Sequence, residues 1–342
     1  MFGIFDKKKD MQLVIDDKPE MILQAKETIL NGALRHNIPF PYSCKVGGCG
    51  SCKCILVEGK VKELTDKSYL LSKEEIKNNY ILGCQSIPKT RVVIKLPAVA
   101  FEHQIVTAVI SEQKALTHDI FEVTLTLDKP MPFQAGQYVN VEVSDEEIPP
   151  RSYSFAHDFR DTSLSFFVRV IPNGKMSNWL TAPENINRNV VVNGPQGEFY
   201  YRESERDLLC IAGGSGLAPI ISMLEAALAS SNTMINRNLT LMMGARTQKD
   251  LYYSDEIKKI KKRWKGVFEF KAVLSEEPES SNWQGLRGFV TEHLDKTNCH
   301  NTQGYLCGPP PMIDAAIATM NTLGIDSEHI YFDKFLDQSQ AS

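Results

Sequence analysis

Four cysteines of this 342-residue chain have the spacing of a metal centre. Cys44, Cys49 and Cys52 follow the pattern Cys-x4-Cys-x2-Cys, and Cys84 stands alone about thirty residues later. This is the ligand spacing of a plant-type [2Fe–2S] cluster, whereas structural zinc sites favour two short cysteine pairs. Glycines between these cysteines permit the backbone to wrap tightly around a cluster. The backbone N–H groups can then point toward the cluster sulfurs. We predict a [2Fe–2S] cluster on these four thiolates, with a four-cysteine zinc site as the alternative.

The other four cysteines have different interpretations. Cys54 lies two residues past a predicted ligand on an emerging strand, where a small buried core residue is favoured over a fifth ligand. Cys210 and Cys299 are interpreted as structural. Cys307 ends a strand immediately before a glycine–proline turn, which makes it a candidate for chemistry, with a buried core residue as the alternative.

A glycine-rich turn joins an apolar strand to a helix in the last third of the chain. Leu208–Ala212 leads into Gly213-Gly214-Ser215-Gly216, and a helical run with a proline near its first turn continues to Ala229. A buried strand, a glycine turn and a helix N-terminus together cradle phosphate on backbone N–H groups. The pattern is not the Gly-x-Gly-x-x-Gly dinucleotide fingerprint, so alone it is a modest indication of a nucleotide site.

Two segments in the middle of the chain are informative only as a pair. Arg151-Ser152-Tyr153-Ser154 follows two prolines, and by itself it favours an ordinary strand that carries a surface arginine. Gly174-Lys175-Met176-Ser177 lies downstream and is predicted to begin a short helix. The joint pattern is more specific than either segment alone.

The surrounding elements change in character twice. The first hundred residues are predicted to form a small α+β domain, with a hairpin around 16–19 and a helix near 28–36. Alternating strands then predict an antiparallel barrel or sandwich, and after residue 207 strands alternate with helices, which predicts a parallel sheet. We expect domains at 10–97, 101–203 and 206–337.

Composition limits the classes of function. The chain is 42% hydrophobic and 23% charged, with a net charge of −4 and a pI near 6.0. This balance is typical of a globular protein and offers no basic face for nucleic acid. No apolar run approaches the roughly 20 residues that span a bilayer. We therefore expect a cytoplasmic protein with no membrane partner, and in such a chain clustered thiols favour a metal over a disulfide framework.

These motifs resemble two known families. Residues 10–97 resemble a plant-type ferredoxin domain, through Pro-Tyr-Ser-Cys44, Gly-Ser-Cys52 and Gly83-Cys84. Residues 101–337 resemble the ferredoxin–NADP reductase superfamily. The resemblance implies a β-grasp ferredoxin domain, an antiparallel β-barrel FAD domain and an α/β parallel-sheet nicotinamide-binding domain.

The resemblance also implies roles in flavin binding. Arg151 would pair with the flavin phosphates, for which a planar guanidinium is well shaped. Tyr153, beside Ser152, would pack on the isoalloxazine ring, and Ser154 would hydrogen-bond near its reactive nitrogen. Gly174, Lys175, Met176 and Ser177 would hold a pyrophosphate at a helix N-terminus, which favours FAD over FMN.

In the nicotinamide domain the resemblance implies a second set of site residues. Gly214, Ser215 and Gly216 would hold the nucleotide phosphates, and Cys307, Gly308 and Pro309 would lie beside the site of hydride transfer. Asp333 and Phe335 match an acidic residue and a ring-stacking aromatic of the flavin site, although glutamate is commoner at the first position. Arg246, in Gly244-Ala245-Arg246, resembles the NADH-dependent members, so NADH is favoured and NADPH stays open.

A function follows from the order of the domains. A ferredoxin domain placed first is typical of the reductase components of toluene, methane and phenol monooxygenases and of several aromatic-ring dioxygenases. A flavin accepts two electrons as a hydride, and a [2Fe–2S] cluster carries one at a time. We therefore expect a monomeric reductase that passes electrons from NADH through FAD and the cluster to an oxygenase hydroxylase component or a Rieske-type ferredoxin.

Three alternatives have weaker support. A CDP-sugar deoxygenation reductase has the same domain layout. A sodium-pumping quinone reductase subunit carries an N-terminal membrane helix that this sequence lacks, and a redox-sensing regulator would need a further binding segment.

Overall fold

The computed structural model describes residues 11–335 except 17, 37, 39, 43–44, 48–49, 51, 72, 97–102, 146, 159, 161, 230–232, 296–298 and 300. The chain divides into two compact units, one on each side of residues 97–102. The second unit contains both a barrel and a parallel sheet.

The first unit is a mixed sheet with a helix packed on it. Its strands are β1 (Met11–Ile15), β2 (Met21–Leu23), β3 (Lys53–Glu58), β4 (Val61–Glu63), β5 (Tyr80–Leu82), β6 (Ser86–Pro88) and β7 (Val92–Lys95), and its helices are α1 (Ile29–Arg35) and α2 (Lys73–Lys77). The main sheet has the order β2-β1-β7-β3-β5, and β4 pairs separately with β6. Strands β1 and β7 run parallel, whereas the neighbouring pairs are antiparallel. This is the predicted β-grasp fold.

Local sequence explains how α1 begins and which face it buries. The hydroxyl of Thr28 accepts a hydrogen bond from the backbone N–H of Asn31 at 3.3 Å, so Thr28 is the N-cap. Ile29, Leu30 and Ala33 have helical spacing and are fully buried in the core of this unit.

A nearly closed antiparallel barrel begins the second unit. Its elements are β8 (Gln104–Ala115), β9 (Ile120–Leu127), β10 (Tyr138–Glu142), β11 (Arg151–Ser154), β12 (Ser163–Arg169) and β13 (Asn189–Gln196), together with α3 (Lys175–Thr181). The strand order is β11-β10-β13-β8-β9-β12, and a bridge between Phe155 and Phe166 links the two ends. The barrel therefore holds β11 next to the point of closure.

A parallel sheet with helices completes the second unit. Its elements are β14 (Asp207–Gly213), β15 (Leu239–Ala245), β16 (Phe268–Leu274), β17 (Leu286–Arg287), β18 (Thr302–Gly308), β19 (Ile330–Lys334), α4 (Leu217–Ala229), α5 (Ser254–Arg263) and α6 (Pro310–Thr322). All neighbours in the order β17-β16-β15-β14-β18-β19 are parallel. Leu208 and Cys210 face one apolar core, whereas Leu209 and Ile211 face another. Because both faces are covered, β14 is an unbroken apolar run.

One of these two cores continues into the barrel. Ile120 and Phe167 of the barrel pack in the same buried cluster as Leu217 and Ile221 of α4. The barrel and the sheet therefore share apolar packing, which fixes the geometry of any site built from both.

The three predicted fold classes are confirmed, but some elements are missed or shortened. The sequence pattern predicts a strand over 102–110, whereas β8 continues to Ala115, and the pattern does not predict β13 or β19. In the part of the chain that the structure describes, no helix is long and apolar enough to cross a membrane.

Candidate functional site

Two of the predicted cluster ligands meet in the core of the first unit. Cys52 immediately precedes β3, and Cys84 lies in the 3₁₀ turn after β5. Because β3 and β5 pair, the two thiols come together: their Sγ atoms are 3.2 Å apart and both residues are buried. This separation is well beyond a disulfide bond of about 2.05 Å. Cys44 and Cys49 lie outside the described residues.

The surroundings of this thiol pair fit a cluster. The backbone N–H of Cys84 donates to Cys52 Sγ at 3.5 Å, and Gln85 Nε2 donates to Cys84 Sγ at 3.7 Å. Gly47 and Gly50 have φ values of +78° and +74°, which side chains rarely adopt. N–H groups directed at sulfur and a tight glycine loop are what a thiolate-bound iron centre requires. The four cysteines would hold the cluster.

Cys54 agrees with its interpretation as a core residue. Its side chain is fully buried, and burial raises the pKa of the thiol far above its ordinary value. It therefore remains protonated, unlike a metal-bound thiolate.

The barrel places the arginine–tyrosine segment on β11. Register pairs Arg151 with Val141 and Ser154 with Tyr138 on β10. Arg151 Nη1 donates to the carbonyl of Pro150 at 2.8 Å, which holds the guanidinium close to the start of the strand. Ser154 is buried, whereas Ser152 is exposed and donates to Asn140 Oδ1 at 2.8 Å.

Tyr153 lies against the barrel core, with its ring 6.0 Å from that of Phe166. Burial raises the pKa of its phenol, so the ring is neutral and suited to packing on another ring. The strand fits a flavin in chemistry: a guanidinium for phosphate, an aromatic ring and a buried hydroxyl lie within four residues.

The second flavin segment forms a closed loop before α3. The hydroxyl of Ser177 accepts from the N–H of Ile171 at 3.1 Å, and its own proton can still be donated to a phosphate. Asn178 Nδ2 donates to the carbonyl of Gly174 at 2.6 Å. A Cβ on Gly174 would lie 2.8 Å from Ser177 Oγ, so a side chain at this position would displace the Ser177 hydroxyl. Lys175 Nζ donates to the carbonyl of Glu147 at 3.0 Å, and Met176 is buried.

The glycine turn after β14 packs directly on the turn that contains Cys307. A Cβ on Gly216 would lie 2.2 Å from the carbonyl oxygen of Cys307, and one on Gly213 would lie 2.9 Å from Pro309 Cδ. Gly214 has a φ of +54°, and Tyr252 donates its hydroxyl proton to the Gly214 carbonyl at 2.9 Å. This tight backbone fits the phosphates of a nucleotide, which Gly214, Ser215 and Gly216 would hold.

Sheet register brings together the residues predicted around hydride transfer. Ala212, Cys307 and Asp333 are neighbours across β14, β18 and β19, and the N–H of Phe335 donates to the Gly308 carbonyl at 2.9 Å. Cys307 is fully buried, and burial together with the Asp333 carboxylate raises the pKa of its thiol well above the ordinary value. The thiol is therefore protonated and would act through packing and polarity, not as a nucleophile.

The sequence analysis missed an ion network that joins the barrel to the sheet. Asp119 accepts hydrogen bonds from Arg169 and lies within ion-pair distance of Arg246. Asp119 is 50 positions from Arg169 and 127 from Arg246, so no local pattern could have revealed it.

A buried histidine provides a second link that the sequence did not reveal. His157 Nε2 accepts from the N–H of Ser165 at 2.7 Å, so Nδ1 carries the proton and faces the carbonyl of Asp158. Burial lowers the pKa of His157 to about 4, and the imidazole is neutral. Ser222 on α4 donates to the His157 carbonyl at 2.5 Å, which ties the barrel to the helix that follows the glycine turn.

Comparison with known families divides the chain into three parts. A 2Fe–2S iron–sulfur cluster binding domain matches residues 13–89, an oxidoreductase FAD-binding domain matches 107–201, and an oxidoreductase NAD-binding domain matches 210–317. The chain thus has the domains for a cluster, FAD and a nicotinamide nucleotide.

Similar proteins span nearly the whole chain. The xylene/toluene monooxygenase electron transfer component of Pseudomonas putida is 42% identical over 317 residues, which cover 91% of this chain and 89% of the relative. The toluate 1,2-dioxygenase electron transfer component of the same species is 32% identical, covering 90% and 92% of the two chains. Among solved structures, the Amycolatopsis cytochrome P450 reductase superposes with a TM-score of 0.74 at 28% identity, covering 97% of this chain and 100% of that one.

Proposed function

The chain belongs to the family of oxygenase electron-transfer components in which an iron–sulfur domain precedes FAD-binding and NAD-binding domains, and we propose that it passes electrons from NADH to the oxygenase of an aromatic-hydrocarbon system. The observation that carries the proposal is that one chain contains the buried Cys52–Cys84 thiol pair, the strand Arg151–Ser154 and the glycine turn at 214–216. The two Pseudomonas relatives are oxygenase components, so they give no support to the sugar-deoxygenation alternative.

Each module has a distinct task in this proposal. When bound, FAD accepts the hydride of NADH, and the [2Fe–2S] cluster delivers electrons singly to the acceptor. Arg151 and Ser177 bind the flavin phosphates, and Tyr153 and Ser154 position the ring. The glycine turn at 214–216 binds the phosphates of NADH.

The turn after β18 completes the proposed site of hydride transfer. Cys307 and Gly308 border the nicotinamide, while Asp333 and Phe335 border the flavin. Because the Cys307 thiol is buried and protonated, it presents a small neutral group that excludes water from the reacting rings.

The domain limits, location and state of association are further parts of the proposal. We take the domains as 10–97, 101–203 and 206–337, the location as cytoplasmic and the purified protein as a monomer. The six described cysteines form no disulfide, which supports a reducing compartment. The direct acceptor is a hydroxylase component or a Rieske-type ferredoxin.

Reconstitution with the natural acceptor tests this function. The tagged full chain, loaded with FAD and iron–sulfur cluster, is used to isolate its partner from the source cells grown on an aromatic hydrocarbon. NADH, O2, the hydrocarbon on which the cells were grown and the isolated partner should then give a hydroxylated product only when the chain is present. NADH consumption without product, or capture of a nucleotide-sugar enzyme that the chain reduces, would contradict the proposal.

A further inference from the structure

Asp119 of the barrel lies between two arginines from different domains. Arg169 lies at the end of β12, and its Nε–H donates a hydrogen bond to Asp119 Oδ2 at 3.0 Å. The Nη2 atom of Arg169 lies 2.9 Å from the same oxygen. Arg246, which follows β15, places Nη2 at 3.4 Å from the same oxygen. The same Nη2 lies 3.5 Å from Asp250 Oδ1, so two carboxylates hold the Arg246 guanidinium.

This network borders the glycine turn. Nη1 of Arg169 lies 3.2 Å from the position that a Cβ on Gly214 would occupy. Gly244 pairs with Gly213 in the sheet, and Arg246 follows Gly244 by two residues. In parallel sheets that bind dinucleotides, the adenosine ribose lies at the end of the second strand, which here is β15. Arg246 and its two carboxylates therefore occupy the edge where a 2′-phosphate would be distinguished from a hydroxyl.

The charges at this edge are already neutralised. Burial alone would raise the pKa of Asp119, but Arg169 and the hydroxyl of Thr117 hold it below its ordinary value, so the carboxylate is ionised at neutral pH. The two negative charges of Asp119 and Asp250 balance the two positive charges of Arg169 and Arg246. Glu277, at the neighbouring strand end, accepts hydrogen bonds from the N–H and side chain of Gln248 and adds negative charge. The exposed His118 also belongs to this cluster, with Nε2 3.9 Å from Asp119 Oδ1 and Nδ1 3.8 Å from Asp250 Oδ1, and Lys249 is an exposed cation next to Asp250 in the chain.

We propose that Asp119, a residue of the FAD-binding barrel, sets the choice of nicotinamide nucleotide by holding Arg246 in an ion pair and keeping it from a 2′-phosphate. A phosphate monoester carries a charge of about −1.5 to −2 at neutral pH and binds strongly to a guanidinium. In this protein it would have to displace Asp119 from Arg246 and lie beside both carboxylates. NADH has two hydroxyls on its adenosine ribose, so it need not displace Asp119 and brings no negative charge next to the carboxylates. The inference rests on the proposed use of NADH.

Binding of two adenosine nucleotides to the FAD-loaded full chain tests the inference without turnover. Calorimetry compares adenosine 2′,5′-bisphosphate with adenosine 5′-monophosphate. Asp119→Asn should raise the affinity for the bisphosphate about fivefold to tenfold, because the freed Arg246 then binds the 2′-phosphate. The affinity for the monophosphate should change less than about twofold, because its phosphate is bound elsewhere.

Three variants separate charge from fold. Asp119→Glu keeps the carboxylate and should keep the wild-type affinity ratio. Asp128→Asn removes an equal charge at the far end of β9, about 25 Å away for an eight-residue strand, and should also leave the ratio unchanged. Asp119→Asn combined with Arg246→Gln should lose the gained affinity.

The possible failures are distinguishable. If Asp119→Asn retains FAD and its affinity ratio equals that of the wild type, the inference is wrong. If it does not retain FAD, Asp119→Ser, which also removes the carboxylate, replaces it and must raise the affinity for the bisphosphate in the same way. A wild type that binds the bisphosphate more tightly than the monophosphate would refute the use of NADH, whereas the role of Asp119 is still decided by comparing variants.

Discussion

Arg151 is the residue on which flavin binding should depend most. Its guanidinium, held against the Pro150 carbonyl, begins the strand that carries Tyr153 and Ser154. Arg151→Ala should weaken FAD binding by about 1.5–3 kcal/mol, the range for a hydrogen bond to a charged group, or at least tenfold in affinity. Fluorimetric titration of the FAD-free protein with FAD measures this directly.

A second arginine of the barrel supplies the control for this prediction. Arg188 is exposed and precedes β13, so Arg188→Ala should leave the affinity for FAD unchanged. Arg151→Lys should recover only part of the binding, because an ammonium lacks the planar fork of a guanidinium. Equal affinities in Arg151→Ala and wild type would show that Arg151 is a bystander.

At the residue scale, sequence predicts what is close in the chain and misses what is close only in space. The spacing of Cys44, Cys49 and Cys52 is itself the signal, because a single loop would supply three of the four proposed ligands. Asp119 carries no such signal, because its partners Arg169 and Arg246 reach it only after the barrel and the sheet have packed together. Such side chains are visible only in three dimensions.

At the scale of elements, the junction of β14, the glycine turn and α4 is the feature most sensitive to substitution. A Cβ on Gly216 would stand 2.2 Å from the Cys307 carbonyl oxygen, and the obstructing atom belongs to the backbone. Gly216→Ala should push the two turns apart. We expect a loss of stability of about 1–3 kcal/mol, as for overpacking of a core, and at least a tenfold loss of affinity for adenosine 5′-monophosphate.

Gly324→Ala is the matched control for Gly216→Ala. Gly324 has a φ of +98°, and no atom lies within 4 Å of a Cβ placed there. This substitution should cost about 1 kcal/mol through the backbone alone and leave nucleotide affinity unchanged. Thermal unfolding and calorimetry of both variants separate the effects. Full nucleotide affinity in Gly216→Ala would mean that the turn adapts and does not shape the phosphate site.

The elements that sequence predicts well are those with regular burial. Strand β9 alternates between buried and more exposed positions from Val123 to Leu127, and the sequence pattern predicts a strand over the observed range Ile120–Leu127. Strand β14 is an apolar run covered on both faces. Strand β13 contains Asn193, Gly194 and Pro195, which are typical of turns, so pairing with β8 and β10 overrides local preference. Strand β19 shows no alternation of burial and was missed.

At the scale of the whole molecule, the three modules in their order were predictable because each carries its own local motif. The division into two compact units suggests that the chemistry can also be divided by mutation. Cys84 belongs to the first unit, whereas Arg151, the glycine turn and Cys307 belong to the second. Cys84→Ser should therefore damage the cluster and leave FAD bound.

The two activities of Cys84→Ser should then separate. With NADH, a small dye acceptor such as ferricyanide should be reduced at close to the wild-type rate, since hydride transfer needs only the second unit. Reduction of cytochrome c and support of an oxygenase should be lost, because these acceptors are expected to receive electrons from the cluster. Steady-state rates of ferricyanide and cytochrome c reduction, together with iron and labile-sulfide analysis, measure how far the two activities separate.

Cys54 provides the control within the same unit. Cys54→Ala also removes a buried thiol from the core that contains Cys84, but this thiol is protonated and is not a predicted ligand. It should cost about 1 kcal/mol of stability through the small cavity and retain iron, labile sulfide and both activities. If Cys84→Ser without its cluster still reduced cytochrome c at the wild-type rate, the flavin would be the direct donor. Electrons would then not pass from NADH through FAD and the cluster to the partner.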